Sequence, residues 1–356
     1  VNSAEPALQP RVEREIEQKF RVHGLFRFPD LRQVDGVAEV LDRGAVDLES
    51  AYFDTADLRL AREGITLRRR RGDDEGWHLK LPADTSVAGV RDELRLPLSA
   101  AQDRPPEKLI GIVRVIVRTS EVVGVSTLRT HRRTWELRDH ADRAVAEVVD
   151  DTVHVVGTDE TVTARFRELE LRRAHAGGEV VPAVADALVG AGAVSGEFVA
   201  KVVRALGPAA SGPPEVPPPT AEASAPHPES WLAPGVRGLR AADLSYRRAG
   251  AASAERVDDD GPRDDDGPRG DGLRTAATRL RDEVHNRTGG LHELVGADQA
   301  EMLRGELTWL TDALAARRHG TDPARSIPEL LDSARYLALH EALVSAARAE
   351  RHLTTV

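Results

Sequence analysis

The stretch Glu13-Arg14-Glu15-Ile16-Glu17-Gln18-Lys19 decides how this chain is read. As a β-strand it turns alternate side chains to opposite sides, so Glu13, Glu15, Glu17 and Lys19 share one face. Three carboxylates there repel one another, and such a face is costly unless cations occupy it. Carboxylate oxygens suit hard divalent cations, and an adjacent lysine suits the phosphates such cations accompany. As a helix, the same residues form a solvated charged turn with Glu15 and Lys19 as an i,i+4 pair.

The pattern recurs, which favours the strand. Phe166-Arg167-Glu168-Leu169-Glu170-Leu171 carries a second alternating acidic pair, and Asp150 ends another strand. Alternating bases stand against them: Arg68 with Arg70, then Lys80, then Arg95 beside Glu93. A barrel would turn alternate residues of such strands to one interior. Acids of two distant strands meeting there would hold Mg2+ or Mn2+, and the bases would neutralise phosphoryl oxygens, arginine with planar bidentate donors.

Outward from these motifs the text reads as short elements. Pro29 to Arg43 has apolar residues at helical spacing, so a short amphipathic helix is expected. Ala51–Thr55, Gly64–Gly72, Trp77–Leu81 and Arg91–Leu96 suggest an antiparallel meander. Residues 106–118 are expected to be helical. Strands follow over Leu128–Leu137, Arg143–Val149, Thr152–Val156 and Arg165–Leu171, with Asp150-Asp151 as a turn. Val180–Gly190 and Phe198–Leu206 read as helices. Residues 209–235, with Pro217-Pro218-Pro219, read as an extended linker. In 236–356 the candidates are Gly272–Thr288, Asp298–His319 and Ile327–His352. An Asp-Asp-Asp-Gly-Pro-Arg repeat inside the tract 256–272 predicts local disorder.

Composition sets bounds. The 356 residues suggest two domains, and 40% hydrophobic against 30% charged residues allow a sizeable core. A formal net charge of -10 argues against general nucleic-acid binding. With no cysteine, disulfides and Cys-based zinc sites are excluded. No apolar run approaches a membrane span, and Val1–Pro6 lack signal-peptide character. A complete N-terminus and a cytoplasmic location are the expectation.

Glu15-Ile16-Glu17-Gln18-Lys19 matches the ExExK signature of the CYTH superfamily, the triphosphate tunnel metalloenzymes. The chain resembles that family over residues 1–208. Tyr52-Phe53-Asp54-Thr55, Leu67-Arg68-Arg69-Arg70, His78-Leu79-Lys80, Arg91-Asp92-Glu93-Leu94-Arg95, Asp150, Glu168-Leu169-Glu170 and Lys201 follow in the family's order. The resemblance implies an α+β fold: an eight-stranded antiparallel tunnel barrel with flanking helices. By that likeness Glu15, Glu17, Asp150, Glu168 and Glu170 would be metal ligands. Lys19, Arg68, Arg70, Lys80, Arg95, Arg132 and Lys201 would hold phosphates. Glu93 is either a metal-side carboxylate or an ion-pair partner of the flanking arginines. The expected activity is metal-dependent hydrolysis of a triphosphate, foremost inorganic tripolyphosphate. Lys19, Lys80 or a water held by the metal would activate the nucleophile. An adenylyl cyclase, a thiamine triphosphatase and a non-catalytic polyphosphate or nucleotide sensor are the rivals.

The region after the linker, a small all-α part, resembles a CHAD domain through Leu273–Arg281, Leu303–Leu310 and Arg335-Tyr336-Leu337. Arg274 and Arg281 share a helix face. Asp271 stands where that family has histidine, so a degenerate module is expected. It would bind polyphosphate weakly or serve as a structural or homodimer-forming element.

Overall fold

The computed structural model describes residues 11–82, 90–98, 103–157, 159–174, 178–196, 199–216, 231–253, 267–318 and 326–354. The chain divides into two compact units, Val1–Pro105 with Val122–Ser211, and Pro106–Glu121 with Gly212–Val356.

The first unit is built on nine strands: β1 Arg11–Val22, β2 Glu39–Thr55, β3 Thr66–Arg71, β4 Gly76–Pro82, β5 Val90–Leu96, β6 Val122–Arg138, β7 Ala144–Val156, β8 Val162–Arg173 and β9 Val194–Ser195. They make one antiparallel sheet in the order β5-β4-β3-β2-β6-β7-β8-β1-β9. The helices along the chain are α1 Arg59–Arg62, α2 Glu107–Ile112, α3 Arg114–Val117, α4 Val180–Gly190, α5 Lys201–Leu206, α6 Leu232–Ser253, α7 Gly267–Asn286, α8 Thr288–Val295, α9 Ala297–Arg318, α10 Ile327–Leu331 and α11 Ala334–Thr354.

The expected eight-stranded tunnel barrel is corrected here. Among the described residues the sheet has nine strands and is not closed into a barrel. β1 changes partner midway: Arg11–Ile16 pair with β5, and Glu17–Val22 pair with β8. No residue of β1 is paired with both of those strands, so no unbroken ladder runs round the sheet.

The strands around the charged groups divide their side chains between a charged face and an apolar face. Phe20, Leu137, Ala146, Val148, Leu169 and Leu171 pack against Val184 and Leu188 of α4. The residues between them in sequence, Lys19, Arg132, Asp151, Glu168 and Glu170, lie on the other face. Over part of that face, Val202 of α5 packs with Tyr52, Leu128, Val153 and Val155. That apolar contact fixes the start of α5, and with it Lys201, beside the charges. Gly72 closes the β3–β4 turn at φ +100°, where a Cβ would meet the Asp47 carbonyl at 2.5 Å.

Two local expectations fail for clear reasons. The helix over Pro29–Arg43 is instead a 3-10 turn at Leu31–Gln33 followed by β2. Gly36 at φ +84° interrupts any helix, and the spaced valines serve the core and the strand. Asp150-Asp151 is not a turn but the middle of β7. Cross-strand cations hold both aspartates there: Arg167 for Asp150, Arg132 for Asp151.

In the second unit α6 and α8 appear where no helix was singled out. The expected Ile327–His352 helix breaks after Leu331 into α10 and α11. A capping box of Ser326 and Glu329 starts α10. α7 begins at Gly267, so the end of the expected disordered tract is helical. Residues 256–266 of the tract and 217–230 of the linker lie outside the described residues. Among the described residues, no helix is long and apolar enough to cross a membrane.

Candidate functional site

Register explains the site. Lys19 lies opposite Glu170, and Glu17 opposite Arg172. Asp151 lies opposite both Glu168 and Arg132. Tyr52 lies opposite Arg68, Ser50 opposite Arg70, and Thr66 opposite Lys80. Directly opposed residues share a face, so one surface collects these groups. All of them but Asp151, Glu168 and Ser50 line a pocket of about 420 Å3. Its lining holds eight Lys or Arg side chains against two carboxylates, Glu17 and Glu170.

The acidic side is dense. Glu17, Asp151, Glu168 and Glu170 are all buried. Lys19 Nζ lies 3.0 Å from Glu170, 3.6 Å from Glu168 and 3.7 Å from Glu17. Lys201 Nζ lies 2.8 Å from Glu168 and 3.0 Å from Asp151, and also donates to Glu170. Arg132 donates from Nε and Nη2 to the two Asp151 oxygens at 2.8 and 2.7 Å. Arg172 donates to Glu170 at 2.8 Å. Burial opposes ionisation of Asp151, but Lys201 and Arg132 outweigh it and hold the carboxyl at about 2. Burial likewise disfavours the Glu170 anion, yet Lys19 and Lys201 hold its pKa well below the usual range.

The basic side is crowded in the opposite sense. Burial pushes the Arg70 guanidinium down to about 9, and Arg68 and Arg132 add to the shift. Its Nε, buried, has no hydrogen-bond partner among the described residues. Burial disfavours the Tyr52 anion, but Arg68 beside it lowers that hydroxyl below its ordinary value. Under this wall sits Glu93, fully buried. Its carboxylate takes His78 Nδ1 at 3.0 Å, and lies 3.6 Å from Lys80 and 3.7 Å from Arg68. Arg95 Nε donates to it at 2.8 Å. Glu93 is therefore an ion-pair partner of the bases, and His78 is a support rather than a pocket wall.

Among the expected residues, Lys19, Arg68, Arg70, Lys80, Arg132, Lys201, Glu17 and Glu170 line the pocket, and Glu168 adjoins it through Lys201. Two do not join them. Asp150 is on the opposite face, paired with Arg167 at 2.6 Å, and Asp151 takes its place. Arg95 is tied to Glu93 and, at 2.9 Å, to Asp74. Glu15 stands opposite Arg91 in the register, and its side chain lies outside the described residues. The sequence reading missed Asp151, Arg172 and Arg91. Counting by twos from Glu168 through Glu170 reaches Arg172, and from Glu93 reaches Arg91. Asp151 becomes legible only once the aspartate pair is read as mid-strand.

By oxygen chemistry the four acids suit Mg2+ or Mn2+. As arranged they do not fit one, because ammonium and guanidinium groups take their oxygens. No metal-holding group of three His, Cys, Asp or Glu occurs among the described residues.

A model of the CYTH domain matches residues 13–187. Over that segment the chain is similar to the CYTH domain. Two curated relatives, the uncharacterized proteins MT2285 and Rv2226 of Mycobacterium tuberculosis strains CDC 1551 and H37Rv, are each 36% identical over 229 residues. The match spans 60% of this chain and 44% of each relative, so the chain covers less than half their length. PH1819 from Pyrococcus horikoshii OT3 resembles 54% of this chain over 96% of its own, at 12% identity and a TM-score of 0.29. HpAC1 from Hippeastrum, described with a dominant triphosphatase activity, covers 53% of this chain and 94% of its own, at 16% identity and a TM-score of 0.31. The CYTH match includes Pro106–Glu121 of the second unit and ends before its remainder, Gly212–Val356. There, the two arginines behind the CHAD likeness are tied down: Arg274 to Leu314 O and Asp271, Arg281 to Asp282 and Thr311.

Proposed function

We propose that the CYTH pocket binds a triphosphate, foremost inorganic tripolyphosphate, and hydrolyses it. The supporting observation is the lining of eight bases against two acids, on a face whose alternate positions are otherwise core. Burying so many like charges is unfavourable without an anion to share them. Arg68, Arg70, Lys80 and Arg132 would hold the phosphoryl oxygens and neutralise charge as it shifts toward the leaving group. Lys19 lies between these bases and the carboxylates, where it could orient the attacking water. Hydrolysis in such a site would come from positioning and charge stabilisation. Ammonium and guanidinium partners take the oxygens of Glu17, Asp151, Glu168 and Glu170, so no step of this reading is routed through a divalent cation.

Purified protein should release phosphate from tripolyphosphate faster than from ATP or thiamine triphosphate, in assays run with and without Mg2+ or Mn2+. Glu17→Gln should abolish that release while leaving the circular dichroism spectrum unchanged. Binding without turnover would replace the enzyme reading by a sensor, and pyrophosphate release from ATP would replace it by a cyclase.

A further inference from the structure

Behind the basic wall a buried histidine meets two acceptors at once. His78 of β4 shares a strand face with Lys80, nearer the β3–β4 turn. Its Nδ1 lies 3.0 Å from Glu93 Oε1, and its Nε2 lies 3.0 Å from the Asp74 carbonyl oxygen. A carbonyl oxygen only accepts, and so does an ionised carboxylate. A neutral imidazole has a single N–H, so it serves one of these partners and turns a lone pair at the other. A ring with two protons serves both. The Glu93 oxygen is contested: Lys80 Nζ stands 3.6 Å and Arg68 Nη2 3.7 Å from the same Oε1, while Arg95 takes Oε2 at 2.8 Å. Lys80 and Arg68 line the pocket, whereas His78 does not. Asp74, in the turn at φ +56°, also sends its carboxylate to Arg95 at 2.9 Å and faces Arg70 at 3.8 Å. On β1, Glu13 is opposite Glu93, and its side chain lies outside the described residues.

We infer that His78 is a positioning residue of the pocket: on gaining a second proton, its ring claims the Glu93 oxygen that Lys80 and Arg68 approach, and leaves more of their charge to a bound anion. This deepens the triphosphate reading and rests on it. Burial is the strongest influence on the ring and, with Arg68 and Arg70, lowers its pKa below the ordinary imidazole value, against the pull of Glu93. The second proton is therefore gained on the acid side of neutrality, and the hold on the anion tightens as pH falls through that range.

Two measurements on the full chain test it, both with inorganic tripolyphosphate. The first uses wild-type protein alone. Exchange of the histidine C2 proton, read residue by residue by mass spectrometry, should place the His78 pKa below that of free imidazole, and saturating tripolyphosphate should raise it by about 0.7. That rise is the reciprocal of a hold about fivefold tighter in the protonated protein, the scale of one screened unit charge. In calorimetric titrations, the ratio of wild-type to His78→Gln affinity should rise about fivefold from about pH 7.5 to about pH 5. The ligand's own titration is common to both proteins and cancels in the ratio. A merely structural histidine would change affinity equally at every pH. A His78 pKa that tripolyphosphate leaves unmoved overturns the inference, and so does a flat ratio in folded His78→Gln. Tripolyphosphate that binds neither protein sinks the functional reading and this coupling together, whereas binding and turnover with an unmoved ring sink the coupling alone.

Discussion

Each unit buries a cluster of charges, and the two clusters are built to different ends. In the helical unit, Glu215 is fully buried and takes Arg118 at 2.7 and 2.8 Å, Arg348 at 3.0 Å and Arg240 at 3.3 Å. Arg118 also bonds Glu341. Every one of these arginines is directed at a carboxylate, which makes the cluster a clamp between helices. In the first unit the charges are sorted: acids around Lys19 and Lys201, bases around Arg70, with a pocket running between. Buried ions alone therefore do not mark a site. Separation of sign across a cavity does, because it leaves repulsion that a ligand can relieve.

The largest effects should break this contrast if it is false. Glu215→Gln removes the carboxylate that the three arginines share and leaves Glu341 on Arg118. A loss of about 3–5 kcal/mol in unfolding free energy is expected, measured by chemical denaturation. Arg70→Met should do the opposite. The charge it removes is one the fold disfavours, since burial and Arg68 push that guanidinium down to about 9. Stability should hold or rise, while kcat/KM for tripolyphosphate falls about 100-fold, near 2.7 kcal/mol of transition-state stabilisation. A destabilised Arg70→Met with undiminished turnover would show that the pocket's charges are structural like those around Glu215.

An acid titration sharpens the same point. Asp151 has its pKa lowered from 3.8 to about 2 by Lys201 and Arg132, against the opposing effect of burial. A depressed carboxyl contributes stability that is present above its unfolded value and lost as pH falls through its folded value. Between about pH 4 and pH 2 the wild type should lose about 2 kcal/mol on this account. Asp151→Asn should start lower at neutral pH and show a shallower decline across that window, by denaturation at fixed pH values.

Much of this was legible before any coordinates. The alternation of Glu17 with Lys19, of Arg68 with Arg70 and of Glu168 with Glu170 gave both strand and face, because the period of two is rigid. What escaped depended on partners far along the chain. Two adjacent aspartates read as a turn until Arg132 and Arg167 are known to flank them. The break of β1 between β5 and β8 has no local signature, since Ile16 and Glu17 look like ordinary strand. The clamp around Glu215 joins residues 97 and 133 positions apart, and no spacing rule reaches so far.

Asp150 and Asp151 offer the finest test, since one peptide bond separates them. Strand geometry sends them to opposite faces. Asp150 meets Arg167 at 2.6 and 2.8 Å, on a guanidinium that is 20% exposed and so partly hydrated. Arg167 also donates to Phe26 O at 3.0 Å, a bond it keeps when the aspartate is gone. Asp150→Asn should therefore cost only about 1 kcal/mol and leave tripolyphosphate turnover near the wild-type value. Asp151→Asn should impair both, because Lys201 and Arg132 lose a partner that water does not replace. Equal penalties from the two substitutions would mean that face, and hence the sorting of charge across the pocket, does not govern what this sheet does.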